Sequence, residues 1–196
     1  MSIEGVDGCG KSTQAQLLEQ HLRGLGREVV LTREPGGTEL GERVRQLVLN
    51  GPEMAPWAEA ALFAASRAEH AAEVIRPALA RGADVVSDRF VDSSLAYQGI
   101  ARGLGLEAVL DLNLTVLEGL LPDRTFVLAI DAVTAGARRE GDPDRIEREG
   151  DDFQAVVGRA YAELAEQFPE RIELLDGSLP AEELAAVISG RVEDLL

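Results

Sequence analysis

Cysteine is almost absent from this chain: its 196 residues include one, Cys9. No intrachain disulfide can form, and the scarcity suits a reducing cytoplasm. Basic residues are also few, 19 Lys and Arg against 35 Asp and Glu, which leaves a formal charge of −16. A nucleic-acid backbone needs a basic face, so that partner is not expected. A small anionic ligand is not excluded, because local arginines and backbone amides hold one whatever the total charge. No apolar run approaches the ~20 residues that span a bilayer, so no membrane partner is expected either. Met1 leads within four residues into a glycine-rich loop rather than into the apolar segment of a signal peptide. Repeats and low-complexity linkers are missing. With 45% hydrophobic and 28% charged residues, the composition fits one compact domain over 1–196.

What the chain does contain is a regular alternation. Short, mostly apolar strands lie within Arg27–Glu34, Gly82–Arg89, Arg124–Asp131 and Arg171–Asp176. Near-continuous apolar runs of this length read as parallel strands covered on both faces. Helical patterns separate them: one from Lys11 with Ala15, Leu18, Leu22 and Leu25, and a long one from about Trp57 to Ala80 after Pro56. Others cover roughly Ser93–Gln98, Leu106–Leu120, Phe153–Glu166 and Ala181–Leu195. Strands separated by helices make βαβ units, hence an α/β fold with a central parallel sheet. Only Met1–Ile3 precede Gly5 where a strand should feed the first loop, so that strand is very short or the numbered chain begins late.

That loop, "IEGVDGCGKSTQ" (Ile3–Gln14), fits G-x-x-x-x-G-K-[ST] through Gly5, Gly10, Lys11 and Ser12. Such a loop curls so that successive N–H groups of Gly5, Val6, Asp7, Gly8, Cys9, Gly10 and Thr13 surround an anion, and the following helix adds its positive end. Lys11 reaches the outer phosphates and the Ser12 hydroxyl ligates Mg²⁺. Glycines are needed because a Cβ blocks backbone approach. Cys9 is either a small filler or a thiol made reactive by the positive field. A guanine-reading N-K-x-D is absent, so a GTPase switch is not indicated. Several scattered arginines point to phosphoryl transfer between two nucleotides.

Three further stretches, "TREPGGT" (Thr32–Thr38), "LFAASRAEH" (Leu62–His70) and "SDRFVDSSLAYQG" (Ser87–Gly99), stand in order behind the loop. Together the four motifs resemble thymidylate kinase of the bacterial type over nearly the whole chain. The resemblance implies a five-stranded parallel P-loop kinase fold, transfer of the γ-phosphoryl of ATP to thymidine monophosphate, a need for Mg²⁺, and a homodimer. Phe63 and Arg67 share a helical face, and an aromatic beside a guanidinium suits a flat base with carbonyl edges. The resemblance has Phe63 stack on thymine and Arg67 read its O4. Asp88, at a strand end, is placed to help hold hydrated Mg²⁺, and Arg89 to clamp the acceptor phosphate and the moving group. By resemblance Ser94, Tyr97 and Gln98 line the acceptor site, Tyr97 crowding the 2′ position of the sugar. Arg33 resembles the acceptor-phosphate arginine, with Glu34 a candidate for the sugar or the metal's waters. Asp7 is either a structural cap or, by resemblance, touches the acceptor sugar or orients Arg89 and Mg²⁺.

Because the phosphate loop itself lacks an arginine, the resemblance draws one from a mobile lid. The stretch from Arg138 to Asp152 holds eleven charged residues in fifteen, including Arg138, Arg139, Arg145 and Arg148, with Gly141, Pro143 and Gly150 as hinges. "DRIE" (Asp144–Glu147) resembles the bacterial lid, which makes Arg145 the first candidate for the γ-phosphate and Arg148 the second. Two positions depart from the family pattern: Ser66, where an Asp commonly precedes the base-reading arginine, and Ala129, where an acidic residue is usual. Alternative readings are a kinase for another nucleotide or a deoxynucleoside, and a nucleotide-binding regulator that does not catalyse.

Overall fold

The computed structural model describes residues 1–138 and 142–195. Arg139 and Gly141, named above for the lid, lie outside the described residues. Five strands form the sheet: β1 (Ser2–Glu4), β2 (Val29–Arg33), β3 (Asp84–Asp88), β4 (Thr125–Ala129) and β5 (Ile172–Asp176). All pairings are parallel and the order is β2-β3-β1-β4-β5. The three-residue β1 is therefore central, and the chain reverses its direction of winding beside it. In an open parallel sheet that crevice, outside the carboxyl ends of the strands, is where ligands bind.

Nine α-helices accompany the sheet among the described residues: α1 (Lys11–Gly24), α2 (Glu39–Asn50), α3 (Pro56–His70), α4 (Arg76–Ala80), α5 (Val91–Ser94), α6 (Leu106–Val116), α7 (Ala132–Ala137), α8 (Asp151–Gln167) and α9 (Ala181–Val192). α1 packs on β1, β2 and β3 with α9 beside it, and α8 packs on β4 and β5. Ile3, Phe126, Leu128, Leu18, Leu22, Val157, Leu164 and Ile188 are buried between these layers.

Three departures from the sequence reading shape the site. The stretch 39–50 forms a full helix, α2, which the strand-and-helix pattern above leaves out. Thr38 caps it, accepting from Gly41 N at 2.9 Å, and Val44 and Val48 bury its inner face. The long helix expected from Trp57 to Ala80 is interrupted by a π-helical turn at Ala71–Ile75. A second π-helical turn, Leu95–Ala101, extends α5 well beyond Gln98. Such turns redirect side chains and recur at functional sites; this one carries Tyr97 and Gln98. A buried pair fixes its entry: Arg171 at the start of β5 grips Asp92 through two bonds of 2.8 Å, and Thr125 donates to the same carboxylate.

Candidate functional site

The carboxyl ends of β1, β2 and β3 open into a cleft of about 890 Å³ floored by the loop between β1 and α1. Asp7, Gly8, Cys9, Gly10, Lys11, Ser12 and Thr13 line it, as the loop motif requires. Gly5 and Val6 instead back the loop against β4. Gly5 has φ of 136°, and a Cβ there would stand 2.8 Å from both Leu128 O and Cys9 Sγ, so loop and sheet touch only through a glycine. Cys9 is buried in that contact, which is the filler role. Lys11 Nζ donates to Val6 O at 2.9 Å and lies 3.6 Å from Asp7. Ser12 Oγ donates to Asp88 Oδ2 at 2.5 Å, bringing the two expected metal ligands together at the cleft floor.

Among the described residues five cations, Lys11, Arg33, Arg45, Arg89 and Arg138, face this one space, against three carboxylates. A protein of net charge −16 thus keeps a locally cationic cleft. Arg89 sits in the left-handed region, φ 70°, a conformation that its surroundings must enforce. Its Nη2 donates to Asp7 at 2.5 Å and its Nη1 to Ser93 at 3.1 Å, with its guanidinium over the Tyr97 ring at 5.4 Å. The enforcing group is Glu4, fully buried at the end of β1. Its carboxylate accepts from Phe90 N, Ser93 Oγ and Tyr161 Oη at 2.6, 2.6 and 2.8 Å. Burial, then Asp92, pushes Glu4 up to about 7, against the pull of Arg89 and its hydrogen bonds. Burial also pushes the Tyr97 phenol far above its usual value, with Asp7 adding to it, so it remains a neutral donor.

Beside the cleft lies a second, smaller pocket, lined by Phe63, Ser94, Tyr97, Gln98, Glu34, Arg45 and Arg89, with Leu49, Asp144 and Ile146. Of the expected acceptor residues two do not line it: Arg33 lines the larger cleft instead, and Arg67 lines neither space. Arg67 is 1% exposed and does not line the pocket. Its Nε donates to Glu34 at 2.7 Å, Nη1 to Ser94 and Asn113 at 2.9 and 2.5 Å, and Nη2 to Phe90 O at 3.0 Å. One of five N–H groups, on Nη2, is left. The Ser66 departure is answered here: Glu34 and Asn113 do the holding, while the Ser66 hydroxyl is buried without a partner. Glu34 is correspondingly occupied. Its other oxygen meets His70 Nδ1 at 2.9 Å, so its carboxylate supports Arg67 while the residue also lines both spaces. Arg33 lines the cleft with Nη2 on Glu42 of α2, at 2.9 and 3.0 Å. Nothing in the structure explains Ala129.

The lid arginines are arranged otherwise than the sequence suggested. Arg145 is 3% exposed and points into the protein, with Nε on Val48 O at 2.8 Å and Nη2 on Glu59 at 2.6 Å. The reason is Glu59, itself buried on α3, which needs a counter-charge. Arg148 is exposed and donates to Pro143 O at 2.9 Å, outside the cleft. Among the described lid arginines Arg138 is the one that lines it, 3.4 Å from Gly177 O. Sequence reasoning missed Arg45, which lines both spaces from α2 and donates to Pro35 O at 3.0 Å. Burial, then Arg33, lowers its pKa. Its signal was legible in the Thr38 cap followed by apolar residues at helical spacing.

Among the described residues no group of three or more His, Cys, Asp or Glu is arranged to hold a metal. No described helix is long and apolar enough to cross a membrane.

The geometry matches what comparison with known proteins returns. The family model described as thymidylate kinase matches residues 3–188. A thymidylate kinase of Bifidobacterium longum is 47% identical over 200 residues, covering 100% of this chain and 97% of that protein. One of Leifsonia xyli is 51% identical over 197 residues, covering 98% and 93%. Among solved structures, thymidylate kinase from Ehrlichia chaffeensis superimposes with a TM-score of 0.78 at 32% identity, covering 95% of this chain and 96% of that one.

Proposed function

The chain belongs to the thymidylate kinase family, and on that premise we propose how its two adjoining spaces divide the work of moving the γ-phosphoryl of ATP to thymidine monophosphate. ATP occupies the larger cleft, its phosphates on the N–H groups of the loop from Asp7 to Thr13. Thymidine monophosphate occupies the smaller pocket, its base against Phe63 and its phosphate among Arg33, Arg45 and Arg89. Arg89 carries the reading, because it lines both spaces and is tied there to Asp7, Ser93 and Tyr161. As a bound phosphoryl group passes between nucleotides, charge spreads over its oxygens, and a fixed guanidinium meets it without reorganisation. Asp7 orients Arg89, Lys11 follows the phosphates, and Arg138 supplies the cation on the lid side.

Ser12 and Asp88 fit Mg²⁺, being hard oxygen donors already 2.5 Å apart at the floor of the phosphate site. When bound, the ion neutralises phosphate charge; the chain's part is to hold Ser12 and Asp88 in place. We further propose that the whole chain acts as one kinase domain in the cytoplasm, and that it forms a homodimer through α3. There Ala58, Ala61 and Ala65 are exposed at helical spacing beside a 48% exposed Trp57, and Ala72 of the following π-helical turn is exposed too. The metal assignment is tested by Asp88→Asn: the Mg²⁺ concentration for half-maximal activity rises tenfold or more while thymidine monophosphate still binds. An unchanged Mg²⁺ requirement would remove Asp88 from the metal site.

A further inference from the structure

Gln98 lines the smaller pocket, and its side-chain amide has two faces of opposite chemistry, an N–H₂ and a carbonyl oxygen. Which one meets a ligand is decided by the residue behind it. Gln98 is 2% exposed, and its Nε2 donates to Glu59 Oε1 at 2.9 Å. Glu59 is buried on α3 and surrounded by donors. Arg145 meets its Oε2 at 2.6 Å, and Arg102 reaches Oε1 and Oε2 at 3.3 Å each. Burial works to protonate the carboxyl, but the bonds from Gln98, Arg145 and Arg102 outweigh it and lower its pKa. An ionised carboxylate only accepts, so the amide nitrogen must face it and Oε1 must turn away, toward the pocket that Gln98 lines.

We propose that Glu59 is a positioning residue for base selection: by fixing the Gln98 amide with its carbonyl toward the acceptor base, it selects pyrimidines that carry an N3–H and rejects those with a bare N3. Thymine and uracil present acceptor, donor, acceptor along that edge. Cytosine presents a lone pair at N3, which would face the Gln98 oxygen with no hydrogen between them. A site built around a specific hydrogen bond discriminates more sharply than an apolar wall can. The same carboxylate is what buries Arg145, so the lid segment serves the acceptor base by keeping Glu59 charged. Arg102, shared between Glu59 and Glu149 at 2.7 Å, ties the end of that segment to the same group. The inference rests on the smaller pocket being the thymidine monophosphate site.

The test compares kcat/KM for thymidine monophosphate and 5-methyldeoxycytidine monophosphate, which differ only at N3 and the C4 substituent, in wild type, Glu59→Gln, Gln98→Leu and the double variant. A Gln at 59 donates or accepts, so the Gln98 amide is free to flip. The preference for thymidine monophosphate falls tenfold or more in each single variant and no further in the double one. A structural role for Glu59 would slow both substrates equally and leave the ratio unchanged, and that result overturns the proposal. So does a Gln98→Leu enzyme that keeps the wild-type preference. Should Glu59→Gln unfold, the ratio is read in Glu59→Gln/Arg145→Met, which removes the stranded cation with its partner. A wild-type protein that binds neither nucleotide by calorimetry overturns the acceptor assignment itself, and the inference with it.

Discussion

Replacing Arg145 by Met separates a buried support from a catalytic cation. The guanidinium is 2% exposed at its side chain, as is its partner Glu59, and it is bound to Val48 O as well. Removing one member of a buried ion pair costs about 3–5 kcal/mol, because the other charge is left without compensation. Arg102 and Gln98 still reach Glu59, which places the loss at the lower end, about 3 kcal/mol. For a chain of this size each kcal/mol moves the midpoint of unfolding by roughly 2–4 °C, so Tm falls by about 6–12 °C. Arg138→Met removes an exposed side chain with one long contact to Gly177 O. Its stability changes by no more than about 0.5 kcal/mol, while the loss of a cation facing transferring phosphate costs on the order of 10³ in kcat. Melting curves and turnover numbers for both variants decide the matter. A thousandfold loss of kcat in Arg145→Met with Tm unmoved, and normal turnover in Arg138→Met, would refute the assignment and return Arg145 to the γ-phosphate.

Glu4 gives stability an unusual pH dependence. Its carboxyl titrates near 7 in the folded chain against an ordinary value of 4.5, so the folded state holds the proton more tightly. Its contribution is present below about pH 4.5 and is lost as pH rises through about 7, amounting to about 3 kcal/mol at completion. Glu4→Gln, which stays neutral, flattens the denaturation free energy between pH 5 and 8; a slope equal to wild type would place the titrating group elsewhere. The alanine face of α3 predicts a protein of twice the chain mass in sedimentation at micromolar concentration. Ala65→Arg returns it to a monomer, and a wild-type monomer would contradict the dimer.

The fold was legible because parallel strands and amphipathic helices have different periods, and a loop of fixed glycine spacing marks where the first strand ends. The glycine loop and Ser12 with Asp88 line one space, and Phe63, Ser94, Tyr97 and Gln98, distant in sequence, line the pocket beside it. Three things were hidden for physical reasons. α2 exposes Leu40 and Leu47 as well as burying Val44 and Val48, which blurs its one-sided pattern, so Arg45 went unnoticed although the Thr38 cap announced the helix. The family resemblance points Arg67 to the base and Arg145 to the γ-phosphate. Both are buried, and what buries them are carboxylates far away in sequence, Glu34 and Glu59. Glu4 stood inside the quoted motif without an evident task, since its three partners, Phe90, Ser93 and Tyr161, meet it only in the folded sheet.

The most direct test of the central claim is Mg²⁺-dependent ADP release from ATP, measured with thymidine monophosphate, uridine monophosphate, adenosine monophosphate, thymidine or no acceptor. The geometry predicts a strong response with thymidine monophosphate and little with adenosine monophosphate or thymidine, because Phe63 lines the pocket while Arg45 and Arg89, with Arg33 in the adjoining cleft, face a phosphate the acceptor already bears. ADP release driven by thymidine or adenosine monophosphate, or by no acceptor at all, would contradict it.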